Sequence, residues 1–386
     1  LRKTHVGIGP VVIFGASNFP LAYSTLGGDT VSAWVAGCPV IVKSHPMHAG
    51  TGEFVSRCIV EAIRKSGMPE GIFSNLNGKS FEVGEKLVRH PLFKAVGFTG
   101  SMKGGRSLYD LASRRSEPIP FFAEMGSLNP VVLFDKSTDT LSKQAILLAR
   151  AVTTDAGQFC TKPGVIFVNS NISEFFVGEL ELALSDSATH TMLHEELYMR
   201  YIKRLDEVNQ TNGVRQRRFT KEGALSLEGV IAISQTTINY LLTEETLRYE
   251  VFGPHVLVVE YEGFNELGIA LKQLGGQLTI SVFCNDSAQI EQSFFIQVAY
   301  DIAGRVIWNG VPTGVAVNLS SNHGGPYPAT TDSRFSSVGL DSWKRFARFV
   351  TWQDTPQKIL PDALRNKNPL GIVRKVNGKL TNLSWH

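Results

Sequence analysis

Cysteine is scarce: the 386-residue chain carries four, Cys38, Cys58, Cys160 and Cys284, and no two of them form a C-x-x-C pair. That spacing indicates neither a zinc site nor a disulfide framework and fits a reducing compartment, so a soluble cytoplasmic protein is expected. Long apolar runs are missing as well. Nothing approaches the roughly 18 residues of a membrane span, and the N-terminus lacks the charged, apolar and small-residue order of a signal peptide. Charge of one sign is not in excess: 38 Lys and Arg face 35 Asp and Glu, a formal net charge of +3, and the basic residues are scattered. No electrostatic footprint for nucleic acid is visible, so DNA and RNA are set aside as partners. No G-x-G-x-x-G follows the first strand-like run, so the ordinary dinucleotide fingerprint is absent.

What is present describes a globular α/β protein. Hydrophobic residues make up 43% and charged residues 19%, and the length exceeds one ordinary core, so two interlocked domains are expected. The opening Leu1-Arg2-Lys3-Thr4 meets a strand-like run by Val11 and reads as a chain entered in mid-domain. Val11 to Phe14, Val40 to Lys43, Ala95 to Thr99 and Val131 to Phe134 have the β-branched, apolar character of buried strands. Between them, Phe54, Val55, Cys58, Ile59, Ala62 and Ile63 fall at helical spacing from Gly52 to Lys65, and Gly67 and Pro69 stop that helix. Strand, helix, strand implies a parallel sheet with right-handed crossovers, whose ligand crevice lies at the carboxyl ends of the strands.

A second α/β block is expected from near Gly126, with strands at Val165 to Val168, Val256 to Glu260 and Thr279 to Phe283 and a helix from Leu193 to Val208. The tail from Asn322, rich in Gly, Pro, Ser and Thr, is expected to wrap over both blocks and to end in a mixed helical and basic stretch.

The sharpest chemical signal is Gly157-Gln158-Phe159-Cys160-Thr161, an exposed loop cysteine expected after a helix and before Pro163-Gly164. Free cysteine is among the most buried residue types, so its neighbours must carry the argument. Phe122-Ala123-Glu124-Met125-Gly126-Ser127-Leu128-Asn129-Pro130 precedes a strand and holds Glu124 in an apolar run, where burial is expected to raise its pKa towards that of a general base. Phe14-Gly15-Ala16-Ser17-Asn18-Phe19-Pro20 follows the first strand and offers the Asn18 amide as a donor to a developing oxyanion.

These three motifs, in this order, resemble the aldehyde dehydrogenase superfamily, and further motifs agree along nearly the whole chain. Val40-Ile41-Val42-Lys43-Ser44 resembles the family's strand ending in an adenosine-ribose lysine. His90-Pro91 and Val96-Gly97-Phe98-Thr99-Gly100-Ser101 resemble its cofactor-binding turn, and Glu250-Val251-Phe252-Gly253-Pro254 its nicotinamide-side motif. Trp308 to Val315, His323 to Thr330, Asp332-Ser333-Arg334 and the ending Leu360 to Gly371 resemble the 2,5-dioxovalerate (α-ketoglutarate semialdehyde) branch, itself similar to bacterial NADP-linked fatty-aldehyde enzymes.

The resemblance implies a Rossmann-like cofactor domain over 1–125 with its N-terminal part missing, a catalytic α/β domain over 126–318, and a C-terminal segment over 319–386 packing on both. It implies a Cys160 thiolate that attacks the aldehyde, an oxyanion held by Asn18 and the Cys160 backbone N–H, and a thioester hydrolysed by water that Glu124 activates. Dipoles, the nicotinium charge, or Glu124 acting as base would supply the thiolate. Phe14, Lys43, His45, Gly100, Ser101, Glu250 and Phe252 are implied to hold NADP or NAD. Pro46 stands where many NAD-preferring relatives carry a glutamate, which favours NADP with Lys43 and His45 beside its 2′-phosphate.

A CoA-acylating relative typically lacks the base that Glu124 supplies. A scaffold role would follow loss of the nucleophile, amide or base, and the early start keeps that alternative in view. The resemblance further implies a homo-oligomeric parent protein and a small-molecule aldehyde as substrate.

Overall fold

The computed structural model describes residues 1–220, 226–286, 292–314 and 316–385; Val315, the end of the Trp308 motif, lies outside them. After strand β1 (Arg2–Gly7), five parallel strands form an open sheet: β2 (Val11–Phe14), β3 (Val40–Lys43), β4 (Phe73–Leu76), β5 (Ala95–Thr99) and β6 (Phe121–Glu124). Their order is β4-β3-β2-β5-β6, so the chain winds outward on both sides of β2 and the direction reverses between β2 and β5. Ligands of open α/β sheets bind at such a reversal, at the carboxyl ends.

Strand β2 is buried along its whole length, and alternation sends Val11 and Ile13 into one core with Ala33, Val42 and Ile59, and Val12 and Phe14 into another with Val88, Val96 and Phe121. Helices α1 (Gly28–Val35), α2 (Ala49–Ser66), α3 (Phe81–Arg89) and α4 (Met102–Ser113) connect these strands. Helix α2 starts three residues before the expected Gly52 and stops at Gly67, whose φ of 66° supplies the left-handed cap.

The second sheet has seven strands: β7 (Val131–Leu133), β8 (Val165–Asn169), β9 (Arg215–Phe219), β10 (Ile231–Thr237), β11 (His255–Tyr261), β12 (Gln277–Phe283) and β13 (Ala303–Trp308). Their order is β13-β12-β7-β8-β11-β10-β9. All pairs are parallel except β9 with β10. On one face Val131, Leu133, Ile166 and Val258 meet α5 (Thr138–Thr153) and α6 (Ser170–Asp186). On the other, Val132, Phe167, Leu257 and Val259 meet α7 (Glu195–Asn209).

The tail departs from expectation at its end. In place of helix, strand β14 (Ala347–Trp352) pairs antiparallel with β1, and Arg374–Val376 and Lys379–Thr381 form a hairpin. Helical geometry there is limited to short 3-10 turns such as Ser342–Phe346. The reason is that β14 takes its conformation from a partner at the other end of the chain.

The segment after Asn322 hydrogen-bonds to residues of both sheets. Its Asn322 side chain donates to the Gly304 carbonyl (2.7 Å), and Gly276 N donates to the Tyr327 carbonyl (3.0 Å). On the other side Met125 N donates to the Ala329 carbonyl (2.8 Å) and Thr331 N to the Ala123 carbonyl (3.2 Å). A Cβ on Gly304 would lie 1.9 Å from the Gly324 carbonyl oxygen, so this approach of backbone to backbone requires glycine. Among the described residues no helix is long and apolar enough to cross a membrane.

Candidate active site

Three segments distant in sequence meet between the sheets. The first is the loop after α5, where Asp155, Ala156 and Gly157 have φ of 47°, 54° and 65° in succession. Two non-glycine residues in that region cost on the order of 1 kcal/mol each, so the surroundings must impose the turn. They do so from two sides. A Cβ on Gly157 would stand 2.3 Å from the Gly253 carbonyl carbon, which seats the turn against the Glu250 to Pro254 motif. Buried Asn129 then donates to the carbonyls of Cys160 (2.8 Å) and Lys162 (3.0 Å), and its Oδ1 accepts from Ser127 and Thr279 (3.0 Å each). Cys160 ends up partly buried rather than exposed.

The second segment is the end of β6. Glu124 is the last residue of that strand, ahead of β7 as the motif implied, and is 3% exposed. The third is the bridging tail, which delivers His323 and Ser337. His323 Nε2 is 3.0 Å from Glu124 Oε1 and 3.6 Å from Cys160 Sγ. Ser337 Oγ lies 2.7 Å from Glu124 Oε2 as a donor. One carboxylate oxygen of Glu124, the Cys160 sulfur and one ring nitrogen of His323 all fall within 4.8 Å of one another.

These partners overturn the expected behaviour of Glu124. Burial alone pushes its carboxyl up, but the His323 charge and hydrogen bonds from His323, Ser337 and Cys160 together hold it below the ordinary value. The Cys160 thiol moves the other way: burial first, then the Glu124 and Glu250 carboxylates, push it well up. Tyr23, its ring 6.2 Å from that of His323, is also pushed up, by burial and then by Glu124 and Cys160.

Asn18 donates its side-chain amide to the Gln158 carbonyl (2.7 Å), two residues before Cys160, which brings it to the same loop. Glu250 reaches the site from the loop ahead of β11: a Cβ on Gly126 would lie 2.5 Å from its Oε2. Burial pushes Glu250 up to about 7, opposed by the Lys162 charge, and burial pushes Lys162 down to about 8, opposed by Glu250. Lys162 is buried and donates to the His255 carbonyl (2.7 Å). Phe252 packs beside Val251 at the edge of the second core.

The remaining candidates lie along the carboxyl ends of the first sheet. Phe14 ends β2, paired in register with Phe98 of β5. Ser101 caps α4, its Oγ accepting from Gly104 N (3.3 Å), and Gly100 N donates to the Glu124 carbonyl (3.1 Å). Lys43 ends β3, partly buried, and burial lowers its pKa. His45 is pushed down to about 4, first by burial and then by the charges of His48, Lys43, Arg200 and His194, and its Nδ1 accepts from Met47 N (3.3 Å). It is therefore uncharged at neutral pH.

Sequence reading missed His323, Ser337, Tyr23 and the clamp made by Asn129. The sequence carries a signal for His323, a histidine beside two glycines and a proline within the His323 to Thr330 motif, but no role for it.

A profile of the aldehyde dehydrogenase family matches residues 2–332. The chain is 41% identical to an α-ketoglutaric semialdehyde dehydrogenase of Acinetobacter baylyi and 40% identical to α-ketoglutaric semialdehyde dehydrogenase 2 of Azospirillum brasilense. Those matches cover 99% and 98% of this chain and 73% of each relative. Among solved structures, a 1-pyrroline-5-carboxylate dehydrogenase superposes with a TM-score of 0.76 at 18% identity, over 90% of this chain and 66% of that one, a likeness of fold. With the motifs in order, two sheets of that fold and a family match over most of its length, this chain belongs to the aldehyde dehydrogenase family.

Proposed function

We propose that the chain oxidises 2,5-dioxovalerate to the corresponding dicarboxylate, with NADP as the preferred cofactor, through a thioester on Cys160. The observation that carries this reading is the grouping of the Cys160 sulfur with Glu124 and His323 beside the carboxyl ends of the first sheet. Cys160 is the nucleophile. Asn18 and the Cys160 backbone N–H hold the oxyanion, and Glu124 takes a proton from the water that opens the thioester. Splitting the oxidation into attack and hydrolysis replaces one difficult step by two easier ones. In this reading residues 1–125 bind the cofactor, 126–318 carry the nucleophile, and 319–386 closes over both.

The cofactor residues fit a dinucleotide. The N-terminus of α4, capped by Ser101 after Gly100, stands at the sheet reversal, where backbone N–H groups favour phosphate. Lys43 would hold the adenosine ribose and, with Pro46 in place of a carboxylate, a 2′-phosphate; uncharged His45 adds a hydrogen bond there, not a charge. Glu250 and Phe252 would hold the nicotinamide end. When bound, the nicotinamide accepts the two electrons removed from the aldehyde carbon.

Arg305 of β13 favours an aldehyde bearing a carboxylate over a fatty aldehyde. Its guanidinium is partly buried, donates to the Gly314 (3.0 Å) and Pro312 (2.7 Å) carbonyls, and has its charge within range of Cys160 and Tyr23. An acidic group at the far end of a short substrate would meet that charge.

The test is reduced-cofactor formation from 2,5-dioxovalerate with NADP, with Cys160→Ala beside it. Turnover in the wild type that is lost in Cys160→Ala is the expected result. Faster turnover of long-chain aldehydes than of 2,5-dioxovalerate would move the assignment to the fatty-aldehyde reading, and a strong bias towards NAD would sink the cofactor preference.

A further inference from the structure

We propose that Asp29 and Arg345 are positioning residues for the hydrolytic step: their buried ion pair holds the 337–346 segment against α1 and so keeps the Ser337 hydroxyl on Glu124. The inference rests on the reading of Glu124 as the base that activates water and deepens it; the identity of the aldehyde does not enter.

The pair lies out of water. Arg345 Nη2 is 2.7 Å from Asp29 Oδ1, and the two side chains are 4% and 12% exposed. The same guanidinium reaches along its own segment, where Nε donates to the Ser342 carbonyl (3.0 Å) and Nη2 to the Ser337 carbonyl (3.4 Å), and it stands 5.0 Å from the centre of the Phe346 ring. Asp29 is fixed in turn. It lies in the first turn of α1, and a Cβ on Gly97 of β5 would come 3.0 Å from its Oδ2, so the carboxylate sits tightly between helix and sheet. A second contact runs beside the first: Ser32 Oγ of α1 is 2.7 Å from Ser342 Oγ. Phe346, fully buried, packs edge-on against Phe122 of β6, two residues before Glu124 (5.7 Å between ring centres, 86°).

Ser337 needs such support because no strand or helix includes it. Its N–H donates to the His323 carbonyl (2.9 Å), and its hydroxyl has two rival acceptors, Glu124 Oε2 at 2.7 Å and the His323 carbonyl at 2.9 Å. A small shift of the Ser337 backbone would turn the proton from one to the other. Arg345 holds the carbonyl of that same residue. The bond to Glu124 is one of those that keep its carboxyl ionised against burial. Burial of an ion pair contributes little net stability, because lost hydration offsets the attraction; what a guanidinium fork adds is direction.

In the hydrolytic step a water O–H bond breaks and its proton goes to Glu124, while the oxygen bonds to the acyl carbon. The C–S bond breaks with its electron pair left on sulfur, and the proton passes from Glu124 to the sulfur. Nothing is oxidised or reduced. A carboxylate that takes and returns a proton in this way must keep one orientation, and the Ser337 bond fixes which edge it presents.

The test acetylates Cys160 with p-nitrophenyl acetate, removes the reagent and times the loss of the acetyl group by peptide mass, with exposed Cys58 as the internal reference. It requires neither aldehyde nor cofactor. Wild type, Arg345→Lys, Ser337→Ala and the double variant are compared. Lysine keeps a cation opposite Asp29 but lacks the fork that also serves Ser337 and Ser342. Arg345→Lys is expected to slow release from Cys160 by about fivefold, as Ser337→Ala does, and to leave Cys58 unchanged. The double variant should be no slower than either single one, whereas independent effects would multiply to roughly 25-fold. Release at the wild-type rate in Arg345→Lys, or losses that multiply, would overturn the proposal. Should Arg345→Lys misfold by circular dichroism, Asp29→Asn takes its place against the same criteria. Non-multiplying losses in a protein whose wild type does not oxidise 2,5-dioxovalerate keep the positioning role and reject the substrate; multiplying losses with normal turnover do the reverse. An acetyl group that leaves wild-type Cys160 no faster than Cys58 rejects Glu124 as the base, and the proposal with it.

Discussion

Glu124, on β6 of the first sheet, and Glu250, in the loop ahead of β11 of the second, both oppose a negative charge on Cys160, and the fold takes both carboxylates largely out of water, with opposite outcomes. At Glu250 burial dominates, and the one opposing charge, Lys162, leaves the carboxyl at about 7. At Glu124 burial is again the largest single influence, but His323, Ser337 and Cys160 together outweigh it. Burial sets the cost of a charge, and the number and direction of partners decide whether the charge is kept. The contrast also separates two tasks. A carboxylate that stays ionised beside an imidazole is suited to moving protons, and one that gains a proton near neutrality is suited to holding hydroxyl groups.

The comparison is sharpened most by removing each charge in turn. Glu124→Gln is expected to lower steady-state turnover by about a thousandfold, with a slower first burst of reduced cofactor surviving because hydrolysis suffers most. A burst amplitude of zero by rapid mixing would place Glu124 in attack alone. Glu250→Gln should cost about tenfold, chiefly in KM for the cofactor, and an equal loss in kcat would break the division of tasks.

Stability against pH gives a smaller signal, of opposite sign at the two residues. Glu250 has a folded value of about 7 against an ordinary 4.5. The native state therefore keeps a proton that the unfolded chain has released, and stability falls as pH rises from 4.5 through about 7. Glu124 lies below its ordinary 4.5 when folded, so its contribution is complete above that pH and is lost as pH falls through the folded value. Thermal unfolding should show the decline from pH 5 to 7 reduced by a few degrees in Glu250→Gln, and the decline below pH 4.5 reduced in Glu124→Gln. The smallest effect is expected from Ser337→Ala, which removes one hydrogen bond to Glu124, about 1 kcal/mol and about fivefold in turnover. Loss as large as in Glu124→Gln would show that the placement of Glu124 depends wholly on Ser337.

Strands Val11–Phe14 and Val40–Lys43 were legible because their side chains announce burial. Strand Arg215–Phe219, with the sequence RQRRF, carries an edge strand's charges and gives no such signal. Strands Arg2–Gly7 and Ala347–Trp352 stabilise each other across the length of the chain, so neither reads as a strand alone. At the site, Cys160, Glu124 and Asn18 were legible as motifs, and the structure places the first two together and brings Asn18 to the loop that leads into Cys160. His323 gained a role only in three dimensions, being 163 residues from Cys160 and 199 from Glu124.

Sequence by itself determined the buried strands such as Val11–Phe14 and Val40–Lys43 and the motifs that hold Cys160, Glu124 and Asn18, because periodicity and motif chemistry are properties of neighbours along the chain. The tertiary structure alone decided the ionisation of those side chains and the partner of the thiol. Those depend on distance through space and on exclusion of water, and the bridging tail sets both when it brings His323 and Ser337 to the end of the first sheet.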